Sequence, residues 1–130
     1  MTPPQPLTER NRAIVLDFVE LFYRQRRVRD AFIKHVGDSY VQHNPHILDG
    51  REAAIAALAP KFSAPGAHFD VKRVLVDGDL AAVHLHARLS PEARGGAVVD
   101  LFRLADGKIV EHWDILQPVP ERCANPHPMF

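Results

Sequence analysis

The chain has 130 residues, enough for one domain with a single core and too short for two ordinary ones. Charged residues make up 25% of it and hydrophobic residues 46%, a globular composition that excludes wholesale disorder. Sixteen basic residues balance sixteen acidic ones, which speaks against nucleic acid or an anionic membrane as partner, while eight histidines make imidazole the main titrating group near neutrality.

Cys123 stands alone, so neither an intrachain disulfide nor a multi-cysteine metal site is expected, which fits a reducing, cytoplasmic setting. Met1 to Pro6 lack the basic and apolar runs of a secretory signal, and no stretch approaches the ~18 to 20 apolar residues of a membrane span. Seven of the eleven prolines lie in residues 1–6 and 118–130, marking two extended tails around one domain.

Thr8 is placed to cap a helix through Tyr23, with Ile14, Phe18, Leu21 and Phe22 on one face. The arginine cluster that follows (Arg24, Arg26, Arg27, Arg29) reads as a solvated junction. A short second helix is expected from Val28 to about His35, ending near Gly37. Tyr40 to His46 is extended and broken by Pro45, and a third helix from Arg51 to Ala59 is expected to stop at Pro60. Beyond Gly66 the texture becomes β-type: His68–Val76, Leu80–Leu89, Ala97–Ala105 and Lys108–Gln117, with turns at Asp77-Gly78-Asp79 and Asp106-Gly107. Helices followed by an antiparallel meander make an α+β domain.

In the second of these strands Ala81, Val83, Leu85, Ala87 and Leu89 share an apolar face, and Ala82, His84, His86 and Arg88 share the other. In the third, Val98, Asp100, Phe102 and Leu104 share a face, so Asp100 sits in a run that otherwise reads as buried. An ionised carboxylate there is costly without a partner, and a carboxylate in an apolar cleft suits proton abstraction next to a carbonyl. The bland alternative is that Asp100 pairs with Arg103, Arg88 or a backbone amide and ties the sheet together. Two registers are open for the last hairpin. A two-residue loop sets Asp100 opposite Trp113, with Glu111 on its face; a three-residue loop with a glycine bulge sets it opposite His112, with Asp114 on its face. The sequence Ala-Asp-Gly favours the bulged loop. His43, Asn44 and His46 offer three polar groups beside Pro45, with Tyr40 just before them. A metal reading rests on His84 and His86, supplemented by His43, His112 and Asp114, but the spacing is a weak signal and no metal is expected. Phosphate loops, a nucleophile elbow and a catalytic cysteine context are absent from the sequence.

Taken together, Tyr40-Val-Gln-His-Asn-Pro45, Asp49-Gly-Arg-Glu-Ala53, Val99-Asp-Leu-Phe-Arg103 and Gly107-Lys-Ile-Val-Glu-His-Trp-Asp114 resemble the SnoaL-like polyketide cyclase family, within the nuclear-transport-factor-2-like superfamily. The resemblance spans roughly Leu7 to Pro120, and the ending Asn125-Pro-His-Pro-Met-Phe130 is similar to tails of uncharacterised bacterial members. It implies a cone-shaped α+β barrel, a curved sheet around a long N-terminal helix with a deep pocket, and commonly a homodimer through the sheet. Among the cyclases, an aspartate and a histidine on neighbouring strands serve an intramolecular aldol closure without metal or organic cofactor. By that resemblance Asp100 and His86 are the catalytic pair; by their own places on strands and loop, Tyr40, His43, His84, Phe102, His112, Trp113 and Asp114 are the expected substrate-binding residues. The chain departs from the cyclases between the two catalytic positions, where Ser90-Pro-Glu-Ala-Arg-Gly-Gly96 replaces a glycine-rich segment. Three functions stay open at this point. The first is a cofactor-independent acid/base enzyme of the aldol-cyclase, isomerase or dehydratase type acting on a small hydrophobic carbonyl compound. The others are a non-catalytic ligand-binding or dimerisation domain and a metal-dependent enzyme.

Overall fold

The computed structural model describes residues 6–130, so the expected N-terminal tail falls outside it but for Pro6. Helix α1 spans Leu7–Val19 and continues as a π-helical turn, Glu20–Arg24, in place of the uninterrupted helix expected through Tyr23. Gln25 N–H reaches back five residues to the Glu20 carbonyl at 2.9 Å, and the widened turn leaves both Phe22 and Tyr23 buried. Arg26 then adopts a left-handed backbone (φ 57°). Its guanidinium donates to the carbonyls of Phe62 and Ala67 at 3.3 and 3.1 Å, tying this junction to the end of the third helix. The other arginines of the cluster pair with Glu20, Asp30 and Glu52 at exposed positions.

Helix α2, Val28–His35, runs straight into strand β1, Val36–Gln42, so Gly37 is a strand residue rather than a helix cap. Helix α3 is Arg51–Phe62 and passes through Pro60 rather than stopping there. The proline falls in the last turn, where it removes a single helical bond, the one to the Ala56 carbonyl, and Ser63 N–H closes the end on the Ala59 carbonyl at 3.0 Å.

Strands β2 (His68–Asp77), β3 (Leu80–Arg88), β4 (Gly96–Ala105) and β5 (Lys108–Pro118) form an antiparallel meander, and β1 adds in parallel beside β5, giving the order β1-β5-β4-β3-β2. The sheet is mixed and unclosed. Burial alternates along β4, with Gly96, Val98, Asp100, Phe102 and Leu104 all on the inner face. The matching face of β3 carries Ala81, Val83 and Leu85, and the helices pack onto both. Phe18 of α1 is the hub: its ring centre lies 5.1, 5.5 and 5.4 Å from those of Phe22, Phe32 and Phe102.

Neither register expected for the last hairpin is the one formed. Asp106 and Gly107 both have positive φ (51° and 79°), the two-residue turn that matches strand twist, and Ala105 pairs with Lys108. A bulge then leaves Val110 unpaired between Leu104↔Ile109 and Arg103↔Glu111, so Asp100 faces Asp114 and Phe102 faces His112. The extra residue lies in the strand rather than in the loop. The outcome shares a face with the bulged-loop expectation, because Asp100, His112 and Asp114 all point inward, but it moves the partner of Asp100 by two residues. No helix among the described residues is long and apolar enough to cross a membrane.

Candidate active site

The inner face of the sheet and the three helices enclose a cavity of about 560 Å³. Its wall is mainly aromatic and aliphatic, with Phe22, Phe32, Phe62, Phe69, Leu85 and Phe102 prominent, and its polar lining gathers Tyr23, Tyr40, Asn44, Asp100, His112 and Asp114. Leu89, Gly95, Leu116 and Pro118 from the strand ends also line it, as do His46, Leu58 and Lys61 from the helical side.

Asp100 anchors the polar group. One carboxylate oxygen accepts from the Tyr23 hydroxyl at 2.5 Å and the other lies 2.9 Å from His112 Nε2. The Asp100 and His112 side chains are only 12% and 9% exposed, so the pair meets little water. His112 Nδ1 lies 2.7 Å from Gln42 Oε1, and the ring is also flanked by Tyr40, near-parallel at 6.3 Å. Asp114, across the sheet from Asp100, accepts from Asn44 Nδ2 at 2.8 Å. Both tyrosines are held neutral: burial, then the charge of Asp100, pushes the Tyr23 and Tyr40 phenols well above their ordinary range.

Backbone contacts deliver these groups. Gly50 N–H bonds the Tyr40 carbonyl at 2.8 Å and Gln42 N–H bonds the Asp49 carboxylate at 2.7 Å, folding residues 43–50 back onto the end of β1. The Asn44 carbonyl oxygen of the side chain also accepts from His46 N–H at 2.9 Å, a local turn that places Asn44 over Asp114.

Of the residues expected from the sequence, Asp100, Tyr40, Phe102, His112 and Asp114 meet in the cavity. Four do not. His84 and His86 lie on the opposite face of the sheet, because they alternate with Val83 and Leu85, so His86 is not the partner of Asp100. His86 instead contacts the Arg94 carbonyl at 2.7 Å and stacks on Phe130 at 4.3 Å, while His84 Nδ1 meets Arg73 at 2.6 Å. Trp113 and His43 are also outside, stacked on each other at 4.8 Å. The His43 ring, and then Arg103, bond Glu111 and hold its carboxyl below the usual range. Arg103, one of the partners that the alternative reading offered Asp100, is thus taken by Glu111.

Tyr23 and Gln42 were not singled out by sequence. Tyr23 is the last aromatic of a helix face that reads as ordinary core, and its signal is only that a buried phenol needs an acceptor. Gln42 belongs to a run whose histidines draw the eye. The His84/His86 metal set is not assembled, since its members occupy both sides of the sheet. Asp100, His112 and Asp114 do bring three donor atoms within 4.8 Å of one another. Each of them is engaged by a hydrogen bond, to Tyr23 and His112, to Asp100 and Gln42, and to Asn44, so the group reads as a hydrogen-bonded network.

A family model for the SnoaL-like domain matches residues 15–112. No curated protein matches the sequence. Among solved structures, an NTF2-like protein of unknown function from Mesorhizobium loti is similar with TM-score 0.74 at 21% identity, covering 88% of this chain and 97% of that one. A candidate ketosteroid isomerase from Kribbella flavida superposes with TM-score 0.72 at 21% identity, over 91% of this chain and 85% of the other. A candidate SnoaL-like polyketide cyclase from Jannaschia sp. CCS1 gives TM-score 0.64 at 24% identity, over 89% and 91%. These likenesses establish an NTF2-like α+β cone fold, and the match over most of its length places the chain in the SnoaL-like family.

Proposed function

We propose that the chain is a cofactor-independent acid/base enzyme that acts on a small, largely apolar carbonyl compound, in an isomerisation, dehydration or aldol closure. The observation that carries this reading is Asp100: a carboxylate at the wall of an apolar cavity, bonded on one oxygen by Tyr23 and on the other by His112. A carboxylate has about four lone-pair sites, so two bonds leave it able to accept a further proton. In the proposed step Asp100 removes the proton alpha to the carbonyl. The electron pair of that C–H bond moves onto the carbonyl oxygen as the enolate forms. Asp100 then returns the proton to another carbon, to a departing hydroxyl, or to the oxygen of a new aldol. Tyr40, neutral and lining the cavity, is suited to donate a hydrogen bond to the developing oxyanion. Membership in the family does not by itself select this chemistry; the setting of Asp100 is what supports it.

A homodimer is part of the same proposal. On the outer face of the sheet Leu75, Leu80, Leu101 and Trp113 line a hollow of about 390 Å³, with Leu75 65% and Leu80 50% exposed. Sedimentation is expected to give twice the chain mass, and a Leu80→Lys variant to give the chain mass; a wild-type monomer at tens of micromolar would contradict the dimer.

Asp100→Asn is expected to fold normally and to lower turnover of a true substrate by at least about a hundredfold. His86→Gln, on the far side of the sheet, is expected to stay within about twofold of wild type on the same general acid–base scale. A panel of apolar ketones tests both, and normal turnover by a folded Asp100→Asn would defeat the assignment. The tyrosines supply a second check. A phenol whose pKa is raised on folding stabilises the native state fully below its unfolded value near 10, and that stability is lost as pH rises from there toward the native value. The chain's two tyrosines are both raised, so tyrosinate absorbance is expected to stay absent in the folded protein near pH 10 and to appear with unfolding. A smooth titration near pH 10 with the circular dichroism intact would contradict the burial of both groups.

A further inference from the structure

Gln42 is the last residue of β1 and lies beside His112 on the parallel strand β5. Its Oε1 is 2.7 Å from His112 Nδ1, and the backbone N–H of Asn44 donates to the same oxygen at 3.0 Å. The second bond fixes which end of the amide meets the ring, because a flipped amide would set its NH₂ group against a backbone N–H. An amide oxygen only accepts, so His112 Nδ1 carries a hydrogen. The other ring nitrogen lies 2.9 Å from Asp100 Oδ1, and the Tyr23 hydroxyl donates to Asp100 Oδ2. A bond along the Nε2–Oδ1 line then needs one hydrogen and has room for one. It belongs either to an imidazolium facing a carboxylate or to a carboxylic acid facing a neutral ring.

We infer that Gln42 is the positioning residue of this site: it locks the neutral His112 ring in the Nδ1–H tautomer, so that Nε2 and Asp100 hold a single proton between them. The inference deepens the acid/base reading and rests on it for its catalytic consequence. Asp100 is a base in one arrangement of the shared proton and an acid in the other, and the Gln42 bond keeps the ring from presenting the wrong nitrogen. Tyr23 from the π-helical turn, Tyr40 from β1 and Asp114 from β5 are the other titratable groups around the pair. Gln42 is held at two points by the loop that follows it: its backbone N–H donates to the Asp49 carboxylate, and its Oε1 accepts from Asn44 N–H.

The test is long-range ¹H–¹⁵N correlation of the histidine rings in ¹⁵N-labelled protein, with the His112 signals assigned by their loss in His112→Gln. Over about pH 5.5 to 8.5 His112 Nδ1 is expected to keep the shift of a protonated ring nitrogen, with any change confined to Nε2. In Gln42→Leu that signature is expected to disappear, and in Gln42→Glu, which keeps an acceptor, to return. A wild-type Nδ1 with the shift of a bare nitrogen would overturn the inference, as would a folded Gln42→Leu with an unchanged His112 pattern. If Gln42→Leu fails to fold, the wild-type and Gln42→Glu spectra decide. No substrate is needed, so full turnover by Asp100→Asn would defeat the acid/base reading and leave this result standing.

Discussion

The bond between Asp100 and His112 sets the terms for the rest of the molecule. A carboxylate on the inner face of a sheet, surrounded by Val98, Phe102 and Leu85, loses several kcal/mol of hydration, and only partners of good geometry offset that loss. Those partners come from distant parts of the chain. Tyr23 arrives from the π-helical end of the first helix, His112 from the neighbouring strand, and Gln42 from the edge strand paired with that one. Each delivery depends on a local irregularity. The π turn brings Tyr23 inward, the Val110 bulge brings His112 and Asp114 to the face of Asp100, and the returning loop at residues 43–50 holds Gln42 and Asn44. Without the bulge, a two-residue turn alone would put Trp113 opposite Asp100, and every side chain of β5 beyond Val110 would exchange faces.

That dependence explains what the sequence could and could not reveal. The strands were legible because valine, leucine and phenylalanine alternate with polar residues, and the turns because Gly78 and Gly107 mark them. Asp100 was legible for the same reason, as a carboxylate in an apolar period-two run. Its partner was not. His86 lies on the strand next to that of Asp100, but sequence resemblance weighs intervals along the chain, whereas the pleat decides the face. The period of β3 already placed His86 with His84 on the side away from Val83 and Leu85, and the structure follows the pleat. Tyr23 was hidden because a phenol on a core face has the same spacing as a phenylalanine. Gln42 was hidden because its role comes from a parallel pairing between β1 and β5, which are separated by most of the chain.

Six of the eight histidines have a defined setting. His112 belongs to the buried pair, and His46 lines the cavity. His43 holds Glu111 on the outer face, and His84 and His86 serve that face too, with Phe130 laid on the His86 ring. Lys34, and then His35 at 2.6 Å, bond Asp17 and keep that carboxyl below its usual range. A composition that is neutral overall therefore gathers one buried imidazole–carboxylate pair in the apolar interior and engages four other imidazoles in contacts elsewhere.

The central claim is that Asp100, paired with His112, takes a proton from carbon next to a carbonyl. The most direct measurement is exchange of the α-hydrogens of a bound apolar ketone with solvent deuterium, followed by ¹H NMR, because it reports proton removal whatever the eventual product. The account predicts exchange well above the protein-free rate in wild type and its loss in folded Asp100→Asn. Equal exchange in wild type and Asp100→Asn, at a ketone concentration that saturates the pocket in both, would contradict it.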